Sequence, residues 1–270
     1  MKKILPMLVV VFATAAVSPA FAMEWTTSAA PVDFRACNFR DGKTMSDLDK
    51  VTAKFRDYAN KNDLAYTAWT LVPEYHTDLG YDIGWLGAWP NSEAYGVSME
   101  LWKSTGKQLA AEFNQVIDCS GRHEMALSKP INAPQGTPED GVLMFYACSL
   151  NDGVDLDKAY AAHLKAGTEM KGMGSLAVSW MFLPAIGAAQ ADFDYYHVIG
   201  FYRYSDMGAT MEMYFNGGGI QKQQSILGEV SSCRTPTVFD AISVRAMDCL
   251  LYTSDAADES SRGGWGGGGG

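Results

Sequence analysis

Apolar and polar positions along this chain follow one pattern, and the pattern is written twice. Phe34–Phe39 is a short apolar run closed by Asp41-Gly42, which predicts a strand and a turn. Asp47 is a good N-cap, and after it Leu48, Val51, Phe55 and Tyr58 recur at helical spacing. Leu64–Val72 and Tyr81–Trp89 are rich in aromatic and β-branched residues and predict two strands joined by a polar loop. A second helix is predicted from Asn91 or Ser92 to Val116, broken near Gly106, and a last strand over Arg122–Ser128. The second round predicts Val142–Leu150, Asp155–Lys171, Leu176–Leu183, Phe193–Tyr204, Ser205–Leu227 and Thr237–Val244. Gly217-Gly218-Gly219 is predicted to break the last helix, since each glycine costs about 1 kcal/mol relative to alanine.

The repetition extends to identities. Phe34-Arg35-Ala36-Cys37 returns as Phe145-Tyr146-Ala147-Cys148, 111 positions later. Asp47-Leu48-Asp49-Lys50 returns as Asp155-Leu156-Asp157-Lys158, Trp69 and Pro73 as Trp180 and Pro184, Asp82 as Asp194, and Cys119 as Cys233. So many ordered matches make a duplication. The expected organisation is repeat 1 over 33–131, a Pro- and Gly-containing linker over 132–140, and repeat 2 over 141–247. Residues 23–32 form a short N-terminal segment.

Each repeat reads strand–helix–strand–strand–helix–strand, the order of a ferredoxin-like unit. Such a sheet has one face without helices, which must be covered. The expected fold class is therefore α+β: two tandem ferredoxin-like βαββαβ units packed sheet to sheet as a pseudo-dimeric α/β barrel. Over 33–245 the chain resembles the dimeric α/β-barrel superfamily in a single-chain, tandem form. Cofactor-free monooxygenases, haem-degrading enzymes, chlorite dismutases and small-molecule isomerases belong to it. The resemblance rests on element order and on no catalytic signature, so it implies a fold and not a chemistry. Because the pseudo-dimer lies in one chain, an oligomer is not required.

In that fold the first and last strands of a unit lie side by side and antiparallel. Cys37 is late in a first strand and Cys119 sits just before a last one, so the fold implies the disulfides Cys37–Cys119 and Cys148–Cys233. Metal binding is the other use of four cysteines, but no CxxC pair or neighbouring histidine supports it. Disulfides need an oxidising compartment. The N-terminus agrees: Lys2-Lys3, an apolar run from Ile4 to Val17 and an Ala20-Phe21-Ala22 end predict a cleaved signal peptide over 1–22, and a periplasmic or secreted protein. Residues 248–270 read as a disordered or non-native tail. Cys249 to Glu259 resembles the translation of a DNA-library adapter, and a glycine run follows.

The net charge is −10, and −12 without Lys2 and Lys3, which argues against a nucleic-acid partner. No Gly-rich phosphate loop, Ser-His-Asp order or zinc motif occurs. His76 and His123 fall at a loop and a strand end and are expected to be solvated and inert. His163 replaces Phe55 and His197 replaces Trp85, both at positions expected to be buried. Strand alternation gives Trp85 and Trp89 one face, and Tyr195, His197 and Phe201 another. With small residues Gly84, Ala88 and Gly200 opposite, the aromatic face is expected to point between the two sheets. Trp69, Trp85, Trp89, Trp180, Tyr195, His197 and Phe201 are thus the expected lining of an inter-sheet space, either filled or a cavity for a small apolar or aromatic molecule. Two functions follow: a binding or accessory protein without cofactor, or an enzyme with His197 as base. Haem held by His163 or His197 is a sub-case of the second. Asp82/Asp194 and Glu100/Glu212 are expected to be caps and turn formers.

Overall fold

The computed structural model describes residues 29–133, 139–188 and 191–247. The expected signal peptide and tail lie outside the described residues. The elements are β1 (Ala30–Phe39), α1 (Met45–Lys61), β2 (Thr67–Tyr75), β3 (Ile83–Ala88), α2 (Ser92–Thr105), α3 (Lys107–Asn114) and β4 (Ile117–Asn132), then β5 (Gly141–Leu150), α4 (Leu156–Gly172), β6 (Val178–Ile186), β7 (Tyr195–Phe201), α5 (Tyr204–Asn216), α6 (Gly219–Leu227), β8 (Ser231–Cys233) and β9 (Thr237–Arg245).

Local chemistry sets the helix ends. Thr44, not Asp47, begins α1: the Asp47 carboxylate accepts from the Thr44 backbone N–H in a capping box. Asn91 caps α2 through Ala94 N, and Asp155 caps α4 through Lys158 N. Gly106 divides α2 from α3, and a Cβ there would lie 2.4 Å from the Trp102 ring. Gly218, at φ +86°, takes the left-handed turn between α5 and α6. Asp82 and Asp194 each accept from a backbone N–H of the first strand of their half, Phe39 and Leu150, at 2.8 and 2.7 Å.

Two sheets packed face to face are not what forms. The strands run β7-β6-β4-β1-β3-β2-β9-β5, and β5 pairs again with β7, so eight antiparallel strands close into one barrel with β8 appended to β5. The expectation of two tandem ferredoxin-like units packed sheet to sheet is overturned by two ladders that join the halves. β2 pairs with β9 from Ala68↔Arg245 to Tyr75↔Val238, and β4 pairs with β6 from Met125↔Ile186 to Asn132↔Ser179. The reason is hydrogen bonding. Separate sheets would leave four edges with unpaired backbone groups, and closure satisfies all of them.

Side chains fill most of the barrel. Val32, Trp69, Leu71, Leu86, Trp180, Phe182, Val198 and Phe239 form its core, with Phe145 edge-on to Phe182 and Phe239. An eight-stranded barrel has an interior just wide enough for this. The helices lie outside: α1 to α3 cover the N-terminal half, α4 to α6 the C-terminal half. None is long and apolar enough to cross a membrane, among the described residues.

The cysteines form two bridges. Cys37–Cys119 joins β1 to β4 with S–S 2.01 Å, and Cys148–Cys233 joins β5 to β8 with S–S 2.06 Å. Cys119 lies inside β4, three residues into a strand that begins earlier than its apolar pattern suggests.

Candidate functional site

The predicted lining residues are divided among three places. Trp69 and Trp180 point into the barrel core, where they and Phe201 line a small space of about 70 Å³. Trp85 and Trp89 point outward, beneath α1 to α3. Tyr195 and His197 point outward beneath the helices of the other half, and Phe201 packs with Met144 and Met207 beneath α5. The expected facing is reversed. The small residues Gly84 and Gly200 face the barrel interior, where a Cβ would lie 2.6 Å from Phe34 and 3.2 Å from Trp180 respectively. The closed barrel has the smaller room, so the small side chains go inside and the large aromatics go under the helices.

Under α1 to α3 the packing leaves a cavity of about 270 Å³. Its floor is the outer face of β1 and β3. Trp85 and Arg35 are cross-strand partners there, and His123 of β4 is the next residue in the same row. Its walls are aromatic. Phe55 of α1 stands edge-on to Trp85, Trp102 and Phe113 at 5.7, 5.9 and 6.1 Å between ring centres. Trp85 Nε1 donates to Tyr66 Oη at 2.7 Å, which ties the floor to the start of β2. Burial, and then the nearby Asp33 charge, push the Tyr66 hydroxyl far above its usual range, so it stays protonated. Trp89, 3 % exposed, lines the same space, and its indole N–H has no acceptor among the described residues.

At the rim the aromatic walls give way to charge. Asp33, 2 % exposed, accepts from Arg35 Nε at 3.2 Å and lies 3.0 Å from His123 Nε2, both through Oδ2. A carboxylate only accepts, so His123 Nε2 carries the proton. Asp33 Oδ1 has no partner among the described residues. It reaches over Gly87 from one side as Tyr66 Oη does from the other: a Cβ on Gly87 would lie 2.3 Å from the first and 2.1 Å from the second. Only glycine admits that approach. A second, smaller cavity of about 80 Å³ opens on Asp33 and His123 and shares Arg35 with the first.

The sequence reading missed this group. Asp33, Arg35 and Tyr66 carry no motif, and His123 is half exposed but not inert, since it holds a buried carboxylate. The available signal was a difference between the repeats: Arg35 is the one residue of Phe34-Arg35-Ala36-Cys37 that changes, to Tyr146.

In the C-terminal half the matching place holds a hydrogen-bonded cluster. His163 and His197 stand where Phe55 and Trp85 stand, with ring centres 4.4 Å apart. Tyr195 donates to Ser231 Oγ at 2.6 Å, so it accepts from His163 Nε2 at 2.9 Å. Burial holds the His197 imidazole down at about 4, and burial, with His197 adding to it, holds His163 well below its ordinary value. Both are neutral at pH 7. His197, the expected catalytic base, faces its neighbours and not the hollow.

No protein-family model matches the chain, and no curated protein sequence does. Solved structures do match. A provisionally assigned monooxygenase from Lactobacillus acidophilus NCFM is 10% identical, with TM-score 0.53, and the match covers 82% of this chain and 99% of that one. A chlorite dismutase from Candidatus Nitrospira defluvii, solved with imidazole, is 9% identical over 80% of this chain and 92% of that one, with TM-score 0.48. A heme-binding protein from Thermus thermophilus is 9% identical over 79% and 91%, with TM-score 0.46. The first of these shares the chain's overall fold, an antiparallel barrel closed here within one chain.

Haem does not fit the residues present. An axial position needs an imidazole, thiolate or similar ligand facing a hollow. His163 and His197 close on each other, and none of the four histidines lines the 270 Å³ cavity. Its one cysteine, Cys119, is bonded to Cys37, and its tyrosine, Tyr66, keeps its proton.

Proposed function

We propose that this is an exported protein that binds a small, planar, apolar or aromatic molecule beneath α1 to α3 of its N-terminal half. The observation that carries the reading is the 270 Å³ cavity walled by Phe55, Trp85, Trp102 and Phe113. A cavity of about 150 Å³ lined by apolar side chains suffices for benzene, so this one suits two fused rings. Aromatic walls favour such a ligand through edge and stacking contacts worth about 0.5–1.5 kcal/mol each beyond burial. Two disulfides support a location outside the reducing cytosol.

The test is titration with 2-naphthol, followed by tryptophan fluorescence. Saturable quenching is expected, and Ala110→Phe, which fills the cavity from α3, removes it while far-UV circular dichroism stays unchanged. Quenching that is absent in the parent, or identical in Ala110→Phe, overturns the reading.

A further inference from the structure

The cavity's polar groups define a narrower ligand than its size does, and this inference rests on the binding reading above. We propose that the ligand is an aromatic anion, a planar ring system bearing a carboxylate or comparable acid, whose charge is held by Arg35.

Charge is the first argument. Among the described residues that line the cavity, Arg35 is the one charged side chain. It is part-buried, with a side chain 34% exposed, and the buried Asp33 offsets part of its charge without covering its Nη atoms. Hydrogen bonding is the second. Asp33 engages Arg35 only through Nε. Nη1 and Nη2 have no acceptor among the described residues, which leaves two donors for an acid group. The bond to Asp33 also fixes the guanidinium plane, so little freedom is lost on binding. Asp33 is in turn fixed by His123 on its other side.

Trp89 lines the cavity as a ring, while its indole N–H is closed off from it. Ser98, buried on α2, lines the same wall with a hydroxyl. The aromatic walls by themselves would also suit a cation, as in aromatic cages for ammonium groups. Arg35 argues against that: its free Nη donors need an acceptor, and Asp33, which offsets part of its charge, does not itself line the cavity. The protein's overall charge of −10 opposes an anion at long range, but salt screens that field beyond about 10 Å, whereas contact with Arg35 is direct.

Three probes of one shape test this in the unaltered protein: 2-naphthoate, 2-naphthamide and 2-naphthylmethylammonium, each by isothermal titration. Naphthoate is expected to bind at least tenfold more tightly than naphthamide, and the ammonium compound most weakly. Arg35→Gln is expected to bring naphthoate within twofold of naphthamide. If naphthoate and naphthamide bind equally, or the ammonium compound binds best, the anion assignment is overturned and the cavity reading stands. If none of the three binds, both fall. The probe series needs no variant, so a misfolded Arg35→Gln does not leave the question open.

Discussion

The two halves share strands, helices, bridges and many identities, yet one shelters a hollow beneath its helices and the other a packed polar cluster. The difference turns on a few positions. Phe55 and Trp85 meet edge to face at 5.7 Å and form one wall of a cavity. His163 and His197, smaller rings at the same places, approach to 4.4 Å, and Tyr195 and Ser231 complete a hydrogen-bonded chain around them. Arg35 becomes Tyr146, Asp33 becomes Met144, and Gly87 becomes Ile199. Large aromatic rings hold helices away from a sheet. Small hydrogen-bonding rings let the cluster close on itself. Duplication thus kept the frame and changed the contents.

The largest expected effect tests what the halves have in common. The bridges close loops of 82 and 85 residues. In the chain-entropy model each contributes about 4–5 kcal/mol, so Cys37→Ala/Cys119→Ala and Cys148→Ala/Cys233→Ala should destabilise almost equally in urea unfolding. A gap above about 2 kcal/mol would show that the halves are not equivalent frames.

Acid should then separate them. His197 falls from an ordinary value near 6.5 to about 4 on folding. The unfolded chain therefore binds the extra proton first, and stability is complete above pH 6.5 and declines as pH falls toward 4. The loss approaches about 3 kcal/mol from this one group. His197→Phe should fold at pH 7 and show a smaller loss between pH 6.5 and 4. An unchanged pH profile in that variant would mean that His197 is not the buried neutral imidazole of the C-terminal cluster.

Gly87→Ala attacks the other half. Its methyl must displace Tyr66 Oη or Asp33 Oδ1, and overpacking of this kind costs about 1–3 kcal/mol. Naphthoate binding should weaken with it. At the matching position, Ile199→Ala should lose stability without affecting binding; loss of binding in Ile199→Ala alone would place the ligand in the wrong half.

The smallest effect is expected from His123→Gln. It removes one hydrogen bond to a carboxylate at a half-exposed site, about 1 kcal/mol. Melting should shift slightly and naphthoate affinity should fall modestly, through a looser Asp33–Arg35 pair. A loss as large as that of Arg35→Gln would make His123 a ligand contact in its own right.

Element order was legible because apolar spacing follows backbone geometry, which each segment expresses locally: Leu48, Val51 and Phe55 mark α1 whatever lies around it. The cysteine partners followed from strand order within each half. The three-residue β8 was not legible, since Ser231–Cys233 has no apolar alternation and forms only by pairing with β5. Nor was the start of β4, where Asp118, Ser120 and Gly121 interrupt the apolar pattern after Ile117.

Three things were decided only in three dimensions. Closure into one barrel depends on β2 meeting β9 and β4 meeting β6, pairings between distant segments that no local pattern records. The direction of Trp85, Trp89 and His197 followed from that closure: alternation along a strand separates two faces but does not say which is inside. The polar group was assembled the same way. Asp33 and Arg35 come from β1, His123 from β4 and Tyr66 from the loop just before β2, and each alone resembles an ordinary surface or core residue. The sequence determined the frame twice over, because secondary structure and bridge spacing are properties of short stretches or of their repetition. Only the tertiary structure decided which half is hollow, because a hollow is a property of side chains that meet across strands and helices, and its outcome depends on a few ring sizes and one missing Cβ.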